Sequence, residues 1–332
     1  PPWQRVSPAL AEGAQAWLLN QAAFCLRARG RLSEALEPMR AGMGMADKQQ
    51  DWLNAAKGAG SLSELEAMLG ALAEAGRDAG LAVRYADRSS DKFLRIVNYA
   101  IHGDALHQTG AHNGAAARFA EAEAMQTERQ PGYPLLYSLH GFQYCDLLLA
   151  PAERAAWRAF QSSPVAPWSL RSSGHPAGTP LAGAGRGVGG SSVAASIDND
   201  DPLAACRAVS ERAQQTLQWI KQASNASLLD VALDHLTLGR AALYAALLVA
   251  TPPGAGCRAA LDEAVAGLRR ANLLHHLPRG LLTRAWLRAC AGQHVDADSA
   301  QTDLDTAWEI AARAPMPLFL ADIHLYRARL FG

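Results

Sequence analysis

A forty-residue internal period constrains this chain more than any other feature. Aligning "RARGRLSEALEPMRAGM", "AMLGALAEAGRDAGLAV" and "HQTGAHNGAAARFAEAE" superimposes Gly30, Gly70 and Gly110. Ala35, Ala75 and Ala115 follow these glycines at the same offset, then Met39, Ala79 and Phe119, then Gly42, Ala82 and Ala122. A glycine at a turn, followed by small residues at helical spacing, describes two helices in close antiparallel contact. One such pair cannot bury both of its apolar faces, so the pairs must stack into a continuous superhelix.

The composition agrees. The chain has 69 alanines against 17 isoleucines and valines, favouring helix over strand throughout. The fold class read from the sequence is all-α, an α-solenoid of stacked antiparallel helix pairs. Residues 1–160 form the first array, with turns expected at Gly30, Gly70, Gly110 and Ala150. Residues 161–201 are rich in Gly, Ser and Pro with almost no charge and read as a mobile insert. Residues 202–332 resume the helix pairs: Leu238-Gly239 sits like a close-contact pair, Thr251-Pro252-Pro253-Gly254 stops a helix, and a further pair turns around Gly292. The last segment, from Pro317, reads as a lone truncated or capping helix. The chain opens on Pro1 without a Met and is expected to be a piece of a longer one.

Thirty-one basic residues balance 31 acidic ones, leaving no field to gather nucleic acid or an anionic membrane. Five cysteines without a CxxC pair read as small buried hydrophobes in a reducing cytoplasm. Gly185, Gly187 and Gly190 complete a GxGxxG pattern, but Ser- and Pro-rich sequence replaces the strand and helix that a dinucleotide site needs, so a linker is the better reading.

His102, His107 and His112 are spaced by five, about 140° apart on a helix, and are expected on different faces. They, the His275-His276 pair, and His140 with Cys145 lack the spacing of a metal site. Cys145 and Cys290 lie in apolar helical sequence, where a thiol stays protonated. No cofactor, metal or catalytic constellation is expected.

The repeat resembles the tetratricopeptide repeat, most closely at Gly103, Gly110, Ala115, Phe119 and Ala122, although that repeat is about 34 residues long. The resemblance implies a right-handed superhelix whose first helices line a concave groove. The groove positions it implies are Asn20, Phe24 and Arg27, then Lys57 and Glu64, Asp104 and His107, His140 and Tyr144, and Arg240 after the insert. The Lys and Asn clamp for a peptide carboxylate is not reproduced. As surface groups, Arg27 and Lys57 are expected to contribute little to stability.

The segments "NQAAFCLRARGRLSEALEPMR", "HGDALHQTGAHNGAAARFAEAE" and "LDHLTLGRAALY" resemble the C-terminal repeat arrays of large bacterial signal-transducing NTPases. That resemblance implies a non-catalytic sensor and scaffold domain holding a protein or peptide segment in its groove. Two alternatives stay open. One is the inducer-binding arm of a transcriptional activator similar to that of the maltose regulon, whose mark would be a compact polar pocket inside the superhelix. The other is a plain assembly scaffold.

Overall fold

The computed structural model describes residue 3 and residues 9–162, 201–223 and 226–332. The insert's glycine pattern at Gly185 to Gly190 lies outside the described residues. Among the described residues there are thirteen helices and no strand. The first three pairs are α1 (Glu12–Ala28) with α2 (Leu32–Lys48), α3 (Trp52–Met68) with α4 (Leu72–Ser89), and α5 (Lys92–Gln108) with α6 (His112–Arg129). A single long helix follows, α7 (Ser138–Ser162). Then come α8 (Pro202–Gln222), α9 (Leu228–Leu248), α10 (Ala255–Ala271), α11 (Leu277–Cys290), α12 (Ala300–Arg313) and α13 (Pro317–Phe331).

The repeat glycines end their helices as expected. Gly30, Gly70, Gly110 and Gly292 have φ of 73°, 76°, 81° and 77°, the left-handed region where a side chain is strained. At each, the following amide reaches back to the final helical turn; Ala71 N donates to the Glu66 carbonyl at 2.9 Å and Gly70 N to that of Ala67 at 3.0 Å. Ala35, Ala75, Ala115, Ala82 and Ala122 are all buried, as is Phe119. A Cβ at Gly103 would fall 2.9 Å from the Phe119 ring, and one at Gly239 would collide with Leu261. Small residues therefore mark the helix contacts on both sides of the insert.

The turn expected at Ala150 does not form, and α7 runs through it and through Pro151 for 25 residues. An alanine at this position lacks the glycine's freedom to enter the left-handed region. The expected partner-helix residues Ala152, Ala156 and Trp157 instead extend the same rod into the core. There Trp157 stacks on the fully buried Trp286 with ring centroids 3.5 Å apart, flanked by Tyr326 and Tyr244. Helix α9 is long and apolar enough to cross a membrane by length and composition, and most of it is buried inside this core.

The two ends of the array meet. One hydrophobic cluster runs from Ala23 and Leu26 on α1 and Leu62 and Leu65 on α3 to Met316, Ile323 and Tyr326 beside and on α13. The α3–α4 turn abuts the start of α13 so closely that a Cβ at Gly70 would lie 2.7 Å from Pro317 Cγ. Likewise, the Gly30 turn faces Ala314, at 3.8 Å from its Cβ. The concave side is thus turned inward. Gly110 offers the control, with the same left-handed backbone and open space around it.

Gly110→Ala is expected to lower stability by about 1–2 kcal/mol through backbone strain alone. Gly70→Ala is expected to cost about 1–3 kcal/mol more, because Pro317 has to move. Equal losses in chemical denaturation would show that the two ends do not touch in solution.

Candidate functional site

The inward concave face encloses a cavity of about 140 Å³. It lies between α3, α5 and α7 on one side and α11 and α13 on the other. Glu64, Asp104, Gln108, Gln143, Asp146, His275, His276, Arg279 and Asp322 supply its polar groups. Met68, Leu139, Phe142, Leu318 and Phe319 supply apolar walls. A smaller space of about 80 Å³ adjoins it across Arg279, Phe319 and Asp322, and reaches Glu153, Arg240 and Tyr326.

Asp146 is the hub of this region. Its carboxylate accepts from Arg240 at 2.7 Å and from Arg279 at 3.0 Å, and His107 Nε2 stands 3.8 Å away. Arg240 also reaches Glu153 at 2.9 Å and the Tyr244 hydroxyl at 3.1 Å. Burial would raise the Asp146 carboxyl, but Arg279 and Arg240 overcome it and hold the group well below the usual carboxylate range.

Asp104 is in the opposite situation. Burial, with Asp146 nearby, pushes its carboxyl up to about 7, and its observed hydrogen bond is from Gln143 Nε2 to Oδ2 at 3.1 Å. Asp322 is also raised by burial, only partly offset by Arg279. His275 and His276 are pushed down to about 2 and about 4, chiefly by burial, and are neutral at physiological pH.

Of the ten groove positions read from the sequence, the structure gathers five around this cavity. Glu64 and Asp104 line it, His107 and Arg240 hold Asp146, and Arg27 pairs with Glu64 at 3.1 Å. That ion pair places Arg27 in a contact largely shielded from water rather than free on the surface. His140 is half-buried on α7, with Glu64 and Asp230 the nearest charges. Lys57 is exposed, and Phe24 is 65% exposed on α1.

Two positions point elsewhere. Asn20 packs across Gly42 of α2, where a Cβ would lie 2.6 Å from its Oδ1. Tyr144 is buried against Phe119, centroids 4.9 Å apart, under the Arg212 guanidinium. For Tyr144 the physical reason is the missing turn at Ala150, whereas Asn20 is drawn to α2 because Gly42 leaves room for its amide. Counting back from a turn that does not exist shifts α7 by one residue, from the cavity-facing Gln143 to the outward Tyr144. Gln143 follows Asp104 by 39 residues rather than 40, and Asp146 follows His107 by the same step. That shortened period was the available signal for both.

The histidine expectation also needs correction. His107 and His112 are in contact, with ring centroids 5.4 Å apart, because the Gly110 turn folds α6 back on α5. Among the described residues, no three His, Cys, Asp or Glu side chains converge to hold a metal. Burial pushes the Cys145 thiol up to about 11 and that of Cys290 to about 12, so both are protonated and poorly nucleophilic. No protein-family model matches the chain, and no curated protein matches it.

Removing Asp146 leaves the buried Arg240 with Glu153 alone and the partly exposed Arg279 without an ion pair, so Asp146→Ala is expected to lower stability by about 1–3 kcal/mol in denaturant titrations. Asp104 predicts a pH trend of its own. The folded chain keeps its proton up to about pH 7, while an unfolded carboxyl releases it near about pH 4. The stability it contributes is therefore full below about pH 4 and is lost as pH rises to about 7. The melting temperature of Asp104→Asn, relative to the parent, should climb across that window and level off above it.

Proposed function

We propose that this chain is a non-catalytic recognition module that takes a small ligand inside its superhelix, acting as the sensor arm of a larger bacterial signalling or regulatory protein in the cytoplasm. The observation that carries this reading is a half-open cavity between the two ends of the array, with mostly apolar walls and a cluster of carboxyl, amide and arginine groups. An open groove would suit an extended peptide, whereas this space suits a molecule of a few functional groups. The walls come from both ends of the array, so a bound ligand touches both. Such a ligand favours the closed ring over any opened state by its contacts across the seam, which is a population shift with a stated cause. The resemblance to the repeat arrays of signal-transducing NTPases and to inducer-binding activator arms supports the sensor role. Binding rather than turnover is further supported by Asp146 and Glu64, which are engaged in ion pairs.

One observation favours a second reading, in which a protein or peptide is the partner. Trp17 and Phe24 are 62% and 65% exposed on α1, and aromatic anchors of this kind commonly carry interface energy. The two readings separate in one experiment. A panel of small metabolites is screened by thermal shift and native mass spectrometry against the parent and Ala67→Phe, which fills the cavity. Stabilisation of the parent that disappears in the variant is the expected result. A panel that moves neither, with a protein partner retained by the parent and lost on Trp17→Ala with Phe24→Ala, would replace the first reading with the second.

A further inference from the structure

We infer that the ligand of this cavity presents a cationic head on a short aliphatic stem, an alkylammonium or alkylguanidinium group. This deepens the small-ligand reading above and rests on it.

The charge inventory of the cavity is the starting point. The arginines of the lining and of its ion pairs are engaged, Arg27 by Glu64, Arg240 by Asp146 and Glu153, and Arg279 by both oxygens of Asp146, while Arg329 on the adjoining space lies over the Trp157 ring rather than against a carboxylate. Asp104 and Asp322 form no ion pair among the described residues, and both line the space. The neighbouring histidines, His107, His275 and His276, all have lowered proton affinity, chiefly from burial, and supply little positive charge. The protein thus leaves two carboxyl groups at the cavity without a cation of its own.

A second, independent observation comes from an amide. Gln143 lines the cavity, is only 8% exposed, and its Oε1 has no hydrogen-bond partner. When Asp104 is ionised, as a bound cation would make it, only the NH2 end of Gln143 can donate to it, which is the orientation observed. The carbonyl is therefore the unmatched end, and a buried acceptor without a donor costs about 1–3 kcal/mol. Asp104, Asp322 and Gln143 all require donors. An ammonium carries three N–H donors and a guanidinium five, and neither has an acceptor to waste. An anion would meet two carboxyl groups, and the arginine of the lining, Arg279, is already bound to Asp146.

The remaining walls select the rest of the molecule. Met68, Leu139, Phe142, Leu318 and Phe319 form apolar walls, which suit methylene groups, and the Phe319 ring already carries the Arg279 guanidinium over it. A space of about 140 Å³ that is partly open to solvent accommodates a head and a short stem. The same head and stem occur in a free amine and in a Lys or Arg side chain of a peptide, and the test distinguishes them.

The experiment titrates the full chain by calorimetry and thermal shift with n-butylamine and agmatine. Butyrate and 1-butanol share the butyl stem and serve as charge controls. N-acetyl-lysine methylamide and its arginine counterpart serve as side-chain probes. The expected result is saturable binding of the cationic probes alone. Asp104→Asn and Gln143→Leu should each weaken it by about tenfold or more, with Lys57→Ala unchanged and circular dichroism confirming folded variants. Binding of the capped amino acids in preference to the free amines would support the cationic chemistry and assign it to a peptide side chain. Binding of butyrate or butanol as tight as that of the amines, lost in Ala67→Phe, would overturn the cationic ligand while leaving the cavity reading intact. Stabilisation by Mg2+ alone would also overturn it. Failure of these probes and of the metabolite panel alike would remove both readings.

Discussion

One carboxylate, Asp146, holds the inner wall of this protein together. It joins α7 to α9 through Arg240 and to α11 through Arg279, so three helices from both sides of the insert converge on a single negative charge. A buried ion cluster of this kind costs desolvation energy and is tolerated only when every member is paired. Pairing the arginines with Asp146 and Glu153 leaves Asp104 and Asp322 without partners. The structural hub and the unpaired carboxyl groups of the cavity are consequently two aspects of one charge distribution.

Closure follows from packing rather than from electrostatics. The Gly30 and Gly70 turns present bare backbone to the α12–α13 connection, and a continuous hydrophobic cluster joins the ends. The polar cavity sits at the seam between them. Cores tend to be bistable rather than continuously deformable, so the seam is the natural place for a discrete open state. A ligand there would act on the equilibrium between two arrangements of already folded helix pairs.

Much of this was legible in the sequence, and the misses have local causes. The turn glycines and the alanine stripes encode the pairs directly, because a left-handed backbone and a close helix contact each admit few residue types. Glu64 and Asp104 could be placed by counting back from real turns. Tyr144 was misassigned since Ala150 is not a turn, and Gln143 and Asp146 were missed for the same reason. Arg279 and Asp322 carried no periodic signal at all. Their role arises only when α11 and α13 return over α3, a contact between distant parts of the chain that repeat periodicity does not encode.

The uninterrupted helix α7 has a spectroscopic consequence. Asp146 and Trp157 lie on the same rigid rod, about 16 Å apart along its axis at 1.5 Å per residue. Trp157 stacks on Trp286 of α11, the helix that also bears Arg279. A change in how α7 and α11 sit around the cavity therefore alters the overlap of two indole rings. The molecule carries an intrinsic fluorophore pair at the far end of the elements that hold its central ion cluster, so the state of its interior is written into its own ultraviolet emission.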